Sequence, residues 1–378
     1  MFINKLLRLT CFLIIISLLF LFTSSPELEC SKGKFSFTHP MTVINLSESK
    51  IVQERIAQKI EPQYSAFNQL LAEADRIQGF VANPPKTINI MGGYEANSNR
   101  SEVRAFLWQN AHAAYTNALA YQYTREPRYA DQAIAVLNAW ADREVFFTGK
   151  DAGLQLGSYF TPMLYAADLL HDYPGWSATQ RKDFELWWRK KCLIHTAEVM
   201  RTRDNNWKDA GMLGVLAAAV AFEDERLLNS GHSSLKNYFK GNWKIKQDQR
   251  GTYLPHEVVR NSGSSGITYT AYAFTTMVQS LEILRYAGYD YWNQPTTKGA
   301  TLKEAIECFF RWNTLGETFP WHQTPGKSGN RFNTYEIANN HFDLPQLREW
   351  LSLNRPVKGE QGDEWVTLNK GDLYQNQR

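Results

Sequence analysis

Residues 210–222 read AGMLGVLAAAVAF, an apolar run that no charged side chain interrupts. Alanine, leucine and methionine are good helix formers, and thirteen residues are more than a typical buried strand contains. A helix that is apolar on every side lies inside a protein. The stretch therefore predicts a buried helix against which the rest of the chain packs.

On both sides of this run, apolar residues recur at spacings of three and four, the pattern of amphipathic helices. The segments with this pattern are Ile51–Ile77, Glu102–Thr124, Tyr129–Arg143, Leu154–His171, Ser177–Met200, Asp224–Phe239, Tyr269–Ala287, Thr301–Trp312 and Glu336–Leu351. Paired helices with short connections and little strand alternation predict an all-α domain of about ten to twelve helices. We expect an incomplete (α/α) toroid whose hairpins surround a central cleft.

Two segments interrupt the helical pattern. Residues 79–101 contain Pro84-Pro85 and Gly92-Gly93, which predict a long loop bordering the cleft. Pro356–Leu373 is rich in glycine and charge, and we expect it to close the domain with a turn or a short strand. No low-complexity linker divides residues 26–378, which favours one domain.

The N-terminus has the features of a secretory signal. Lys5 and Arg8 are basic, Phe12–Phe22 is apolar except for Ser17, and small residues follow at 23–25. The apolar run is short for a membrane span, which needs about 20 residues. Residues 1–25 are thus predicted to be a signal peptide and the protein to be secreted or periplasmic, with an uncleaved anchor as the alternative.

The charge balance gives no general attraction to nucleic acid or to membranes. The chain has 41 basic and 38 acidic residues, and residues 1–25 hold two of the basic ones, which leaves a net charge of +1 beyond them. The cysteines beyond residue 25 are Cys30, Cys192 and Cys308, without CxxC spacing. Neither a zinc site nor a disulfide framework is indicated, and the last two are predicted to be buried thiols.

Chemistry-bearing residues concentrate in residues 253–272. Tyr253–Arg260 reads YLPHEVVR and is followed by a Gly/Ser linker and Tyr269. If Leu254–Arg260 is helical, His256 and Arg260 stand one turn apart with Glu257 beside them. A cation, a neutral base and a phenol in one place indicate proton abstraction next to a carboxylate. The alternative is a helix start with a surface Glu257–Arg260 ion pair.

Asn205-Asn206-Trp207 immediately precedes the buried helix. The two asparagines could cap this helix, or they could face the cleft. Trp207 is expected to be a cleft wall or a core residue. Gln155 and Tyr159, one turn apart at the start of another predicted helix, are candidate sugar contacts.

Together these segments resemble the alginate lyase family of polysaccharide lyases over roughly residues 40–350. The likeness rests on the order and spacing of the following segments: Arg203-Asp204-Asn205-Asn206-Trp207, the buried helix after it, Leu254-Pro255-His256-Glu257 with Arg260, Ile267-Thr268-Tyr269, and the flanking runs Ala120–Thr124 with Ala139–Ala141 and Gly288–Trp292. Members of the family use an α/α toroid to cleave uronate polysaccharides by β-elimination.

The resemblance implies a role for each matching residue. Asn206 and Arg260 would hold and neutralise the uronate carboxylate, and Tyr269 would protonate the leaving glycosidic oxygen. An arginine suits this task because its planar fork grips a carboxylate in two places, and the neutralised carboxylate accepts the charge that develops when the C5 proton leaves. The chemistry needs no metal or other cofactor, and the expected partner is an anionic uronate polysaccharide.

One position departs from the family. A histidine that acts as the base follows the second asparagine in the best-known alginate lyases, whereas this chain has Trp207. His256 is the candidate replacement, and the alternative is that Tyr269 serves as both base and acid. Asn205, Trp207, Gln155, Tyr159 and Glu257 are predicted to contact the substrate.

Two other functions compete with the lyase. An inverting glycoside hydrolase on the same toroid would need two opposed carboxylates about 6.5–9.5 Å apart, for which Asp204, Asp209 and Glu257 are the candidates. A non-catalytic uronate-binding protein would be a lyase scaffold that lost its base at Trp207. The linkage cleaved, the mode of attack and the oligomeric state do not follow from the sequence.

Overall fold

The computed structural model describes residues 35–241, 245–247 and 253–374, and of residues 245–247 and 253–256 it describes the backbone alone. Internal contacts gather Phe37–Arg378 into one compact unit. The predicted signal peptide lies outside the described residues. Within them, no helix combines the length and the apolar character that crossing a membrane requires.

The described residues form fifteen α-helices. Their bounds are α1 Leu46–Ala57, α2 Gln63–Arg76, α3 Arg100–Thr124, α4 Pro127–Asp142, α5 Ala152–Gln155, α6 Pro162–Leu169, α7 Ala178–Trp188, α8 Ile194–Thr202, α9 Asn206–Ala221, α10 Glu225–Gly241, α11 Gly266–Tyr286, α12 Leu302–Asn313, α13 Asn333–His341, α14 Pro345–Asn354 and α15 Val366–Lys370. Two pairs of short strands accompany them: β1 Thr87–Asn89 runs parallel to β2 Phe146–Thr148, and β3 Ile245–Gln247 runs antiparallel to β4 Tyr253–Pro255.

Helix α9, which contains the apolar run, is the centre of the packing. It contacts α8, α10 and α11, and its residues 209–220 are buried. The neighbouring backbones come close because of glycines: a Cβ on Gly211 would lie 2.5 Å from the Thr196 carbonyl oxygen of α8, and one on Gly157 would lie 2.3 Å from that of Ala210. Larger residues at these positions would push α9 out of place. The predicted all-α toroid of helical hairpins is confirmed, with more helices than expected.

The helix count differs because long predicted helices are interrupted. Leu154–His171 was expected to be one helix, but a π-helical turn at Leu156–Phe160 separates α5 from α6, and Pro162 then opens α6 as its first residue. A second π-helical turn, Arg189–Leu193, separates α7 from α8. Such insertions keep the apolar spacing almost intact, so the sequence pattern does not reveal them.

The prediction of an α-helix over Leu254–Arg260 is wrong. The chain forms strand β4 and then a 3₁₀ segment, His256–Gly263. Proline at 255 removes a backbone donor, and Asn261 and Ser262 have φ angles of 50° and 54°, which end the segment in a left-handed turn. His256 and Arg260 are therefore not one α-helical turn apart.

The C-terminal segment is also more ordered than expected. It closes the unit with helix α15 instead of a strand, and the Lys370 side chain is 2% exposed. The Lys370 ammonium lies 2.8 Å from the Glu48 carboxylate of α1 and 3.0 Å from the Glu282 carboxylate of α11. Arg285 bonds the same two carboxylates at 2.5 and 2.8 Å. These four residues, called the buried charge network, join the first, eleventh and last helices.

Candidate active site

A cleft of about 830 Å³ opens beside the N-terminus of α9. Its walls come from the loop before α3, the start of α5, helix α8, the start of α9 and the start of α11. The loop 79–101 therefore borders the cleft as predicted. Of the predicted site residues, the following line it: Gln155, Tyr159, Asn205, Asn206, Trp207, Arg260 and Tyr269.

The two asparagines before the buried helix have different environments. Asn205 caps α9, and its Oδ1 accepts a hydrogen bond from the Trp207 backbone N–H at 3.1 Å. Asn206 is 3% exposed and faces the cleft, and its Oδ1 has no hydrogen-bond partner among the described residues. A buried amide oxygen without a partner costs about 1–3 kcal/mol. Asn206 is thus available to a ligand, whereas Asn205 is occupied by the helix.

Arg260 and Tyr269 converge on the same cleft from either side of the Gly/Ser linker. The guanidinium carbon of Arg260 lies 4.8 Å from the centre of the Tyr269 ring. No carboxylate of the described residues forms an ion pair with Arg260, so its guanidinium is free to bind an anion. The surface ion pair with Glu257, considered from the sequence, is not formed.

Tyr94, in the loop before α3, also lines the cleft and contacts Tyr269. The two hydroxyls are 2.6 Å apart, although Tyr94 is 82% exposed. Burial and the hydrogen bond to Tyr94 together raise the pKa of Tyr269 to about 12, and the nearby Arg260 only partly opposes this shift. Tyr269 is therefore protonated near neutral pH, as a general acid must be.

Glu257 does not face the cleft. Its side chain is buried, and its Oε1 accepts a hydrogen bond from the Asn206 backbone N–H at 2.8 Å. A carboxylate suits this place because the first N–H groups of a helix lack partners and carry partial positive charge. Glu257 thus fixes the 3₁₀ segment that carries Arg260 to the start of α9, and it is a positioning group instead of the substrate contact predicted from sequence.

Aromatic rings on the cleft wall are paired with arginines. The Arg203 guanidinium carbon lies 4.8 Å from the centre of the Trp207 ring, and that of Arg104 lies 5.4 Å from the centre of the Tyr159 ring. Gln155 is 3% exposed, and its Oε1 has no hydrogen-bond partner among the described residues. Flat rings beside cations offer sugar faces and uronate carboxylates a matching surface.

The cleft has a local positive potential that the net charge of the whole chain hides. Its cationic lining residues are Arg100, Arg104, Lys150, Arg203 and Arg260, and its carboxylates are Glu95, Asp151 and Glu198. Lys150 pairs with Glu95 at 2.9 Å and Arg100 with Asp151 at 3.4 Å. The remaining three arginines face one carboxylate, so the cleft attracts an anionic chain.

The cleft also contains a histidine that the sequence did not mark as a site residue. His195 of α8 lines the cleft. Burial lowers the pKa of His195 below its usual value, which leaves the ring neutral near pH 7. Its Nε2 lies 3.2 Å from the Phe147 carbonyl oxygen, to which it can donate, so that Nδ1 keeps a lone pair. The side chain of His256, the predicted base, lies outside the described part of the chain.

Two other histidines are held by carboxylates and do not line the cleft. His112 is bonded to Glu364 at 2.8 Å and to Glu73 at 2.7 Å. His341 is bonded to Glu282 at 2.8 Å. The thiols of Cys192 and Cys308 are buried, as expected.

The three carboxylates that the sequence offered to a hydrolase do not line the cleft. Glu257 and Asp209 are buried outside it, and Asp204 is not among its lining residues. The described residues contain one group of three possible metal ligands, and no member of it lines the cleft.

A helical toroid with a cationic, aromatic-walled cleft is consistent with one class of protein: the polysaccharide lyases. The sequence model of the alginate lyase family matches residues 57–319, which is more than half of the chain. The chain therefore belongs to the alginate lyase family.

Individual relatives agree with this assignment. A polysaccharide lyase of Stenotrophomonas maltophilia (strain K279a) is 27% identical over 243 residues, which cover 59% of this chain and 70% of the relative. An alginate lyase structure from Bacteroides ovatus has a TM-score of 0.65 at 16% identity, and the match covers 89% of this chain and 100% of that structure. The structure of alginate lyase A1-III from Sphingomonas species A1 has a TM-score of 0.68 at 16% identity, and the match covers 88% of this chain and 99% of that structure. A variant of A1-III complexed with a tetrasaccharide has a TM-score of 0.69 at 14% identity, and the match covers 87% of this chain and 95% of that structure.

Proposed function

We propose that the protein cleaves a polyuronate, alginate or a similar polymer, by β-elimination across C4 and C5 of the uronate. The observation that carries the proposal is the meeting of Asn206, Arg260 and Tyr269 in one positively charged cleft. The tetrasaccharide complex of alginate lyase A1-III supports a cleft of this fold as a saccharide site.

Arg260 and Asn206 neutralise the substrate carboxylate. Arg260 has no competing ion pair among the described residues, and the Asn206 amide is oriented by the start of α9. The C5 proton becomes more acidic because the charge that develops on its removal spreads onto a carboxylate held by these groups. Tyr269 then donates its proton to the oxygen that leaves C4.

For the base, a neutral histidine is better suited than Tyr269. With a pKa of about 12, about one Tyr269 side chain in 10⁵ is ionised at pH 7. His195 is neutral at that pH and lines the cleft. We assign the proton abstraction to His195, with His256 and Tyr269 as the alternatives that a pH profile and two variants separate.

The pH dependence of kcat/KM distinguishes these bases because it reports the ionisation of the free enzyme. A histidine base predicts a rise that ends below about pH 6.5 and a plateau up to about pH 10. If Tyr269 is the base, kcat/KM continues to rise about tenfold per pH unit through this range. If the plateau of kcat/KM is lost in His195→Gln and kept in His256→Gln, the base is His195. If it is lost in His256→Gln and kept in His195→Gln, the base is His256.

The reaction itself is tested by ultraviolet absorbance of the unsaturated product on alginate, glucuronan and glycosaminoglycans. We expect absorbance to grow with at least one polymer and Tyr269→Phe to lower kcat by about 10²–10⁴. Tyr173→Phe is the matched control, since the Tyr173 hydroxyl bonds Asp131 outside the cleft. Reducing ends that increase without absorbance would show hydrolysis, and binding without turnover across the panel would show a non-catalytic uronate-binding protein.

A further inference from the structure

A second cluster of polar side chains lies at the other end of α9. His39 precedes α1, His171 follows α6 and Glu223 follows α9. Helix α9 has 16 residues and is about 24 Å long at 1.5 Å per residue. The cluster is therefore separate from the active-site cleft, which lies at the N-terminal end of this helix.

His39 is held in a defined tautomer and orientation. Its side chain is 5% exposed, and its Nδ1 lies 2.6 Å from one oxygen of Asp168. The other oxygen of Asp168 accepts hydrogen bonds from the backbone N–H groups of Met41 and Thr42, both at 2.8 Å. Nδ1 thus donates to a fixed carboxylate, and the buried Nε2 has no hydrogen-bond partner within the part of the chain that the structure describes. A carboxylate behind a histidine is the usual support of a metal ligand.

Glu223 lies in front of this unpartnered nitrogen. Its Oε1 is 3.6 Å from His39 Nε2, which is too long for a hydrogen bond. Two ligand atoms that are each about 2.1 Å from a tetrahedral ion lie about 3.4 Å apart. The separation therefore fits a pair of ligands better than a direct bond. One ring nitrogen of His171 completes a group whose ligand atoms all lie within 4.8 Å of one another.

We propose that His39, His171 and Glu223 bind one divalent transition-metal ion of the zinc type, with water as the fourth ligand. Two imidazoles and one carboxylate are a ligand set that suits zinc. The bound ion would connect the segment before α1 to the ends of α6 and α9. Its effect is on stability, because the reacting groups lie at the opposite end of α9.

Binding requires one movement. The His39 and His171 rings are stacked, with centroids 3.7 Å apart and planes 9° apart. An ion in the planes of both rings requires His171 to turn out of the stack. His171 is the partner that can turn, since its side chain is 30% exposed and its Nδ1 is held only by the exposed Asp172.

The test uses the protein purified without a polyhistidine tag, dialysed against a chelator and titrated with zinc chloride. We expect about one zinc ion per chain, a Tm that rises with zinc concentration and a lyase activity that the chelator leaves unchanged. Replacement of the zinc by Co²⁺ should give the visible absorption of a tetrahedral cobalt site, which non-specific surface binding does not give.

Glu223→Gln and His171→Gln should each lower the zinc affinity about tenfold or more. Both are at the surface, so their folding is expected to be intact. Glu144→Gln is the matched control. Like Glu223, Glu144 is an exposed glutamate that follows a helix and has a positive φ, which is 50° for Glu144 and 49° for Glu223. No retained zinc in the wild type, or equal affinity in the wild type and both variants, would overturn the proposal.

Discussion

The cleft and the buried charge network contain similar residues but differ in whether their charges are paired within the protein. In the network, Lys370 and Arg285 each bond both Glu48 and Glu282, so every charge has a partner inside the protein. Burial alone would raise the pKa of Glu48, but Lys370 and Arg285 together outweigh it and the pKa is lowered. In the cleft, Arg260 has no carboxylate partner and the Asn206 Oδ1 has no hydrogen-bond donor among the residues that the structure describes.

The difference between the two regions separates the charges that stabilise the fold from the charges that are available to bind a ligand. A charge paired within the fold stabilises the fold and offers nothing to a ligand, whereas an unpaired one costs stability and can bind an anion. Substitutions in the network are therefore expected to change the free energy of unfolding, and substitutions in the cleft to change kinetics. Three predictions test this separation, from the largest expected effect to the smallest.

Lys370→Met should destabilise the protein by about 3–5 kcal/mol, because Glu48 and Glu282 each lose a buried cationic partner. Urea denaturation measures the loss, and kcat/KM of the folded fraction should stay unchanged. Lys182→Met is the matched control: Lys182 forms an exposed pair with Glu185, so it should cost less than about 1 kcal/mol. Equal losses in the two variants would contradict the separation.

Arg260→Met should lower kcat/KM about 10²–10³-fold, since it removes the cation that takes up the developing charge. Its free energy of unfolding should change by less than about 1 kcal/mol, because the contact that it loses is with the Tyr269 ring. Product absorbance and urea denaturation are measured on the same preparation. A large loss of stability with normal kinetics would place Arg260 among the structural groups.

Substitutions of the two neighbouring asparagines should have different effects, one on kcat/KM and the other on the stability of the fold. Asn206→Ala should lower kcat/KM by a factor that corresponds to about 1.5–3 kcal/mol, the value of a hydrogen bond to a charged group. Asn205→Ala should instead cost about 1 kcal/mol of stability, since Asn205 caps α9. Thermal unfolding and initial rates for both variants check the pair, and identical profiles would refute the different roles.

The sequence predicted the fold where one local signal decides it. The apolar run defined the buried helix α9, and the helical segment that was expected to begin at Ser177 does so, because Ser177 caps α7 in a full capping box with Gln180. The π-helical turns were missed because one inserted residue barely disturbs helical spacing. The segment before Arg260 was misassigned because Pro255 and the left-handed residues at 261 and 262 outweigh the apolar pattern.

The site was predictable only where residues match a family or lie close in sequence. Asn206, Arg260 and Tyr269 were found through their order along the chain. Tyr94 was missed because its contact with Tyr269 spans 175 residues, and no spacing rule covers such a distance. His195 was missed because a histidine on a helix has the same pattern whether it faces a cleft or the core.

The hydrogen bond from the Asn206 backbone N–H to Glu257 also joins two parts of the chain that are 51 residues apart. It holds the segment that carries Arg260 against the first turn of α9, so the spacing between the Asn206 and Arg260 side chains depends on a third residue that does not line the cleft. Variation at Glu257 is therefore a way to alter how these two side chains are spaced while both of them are kept.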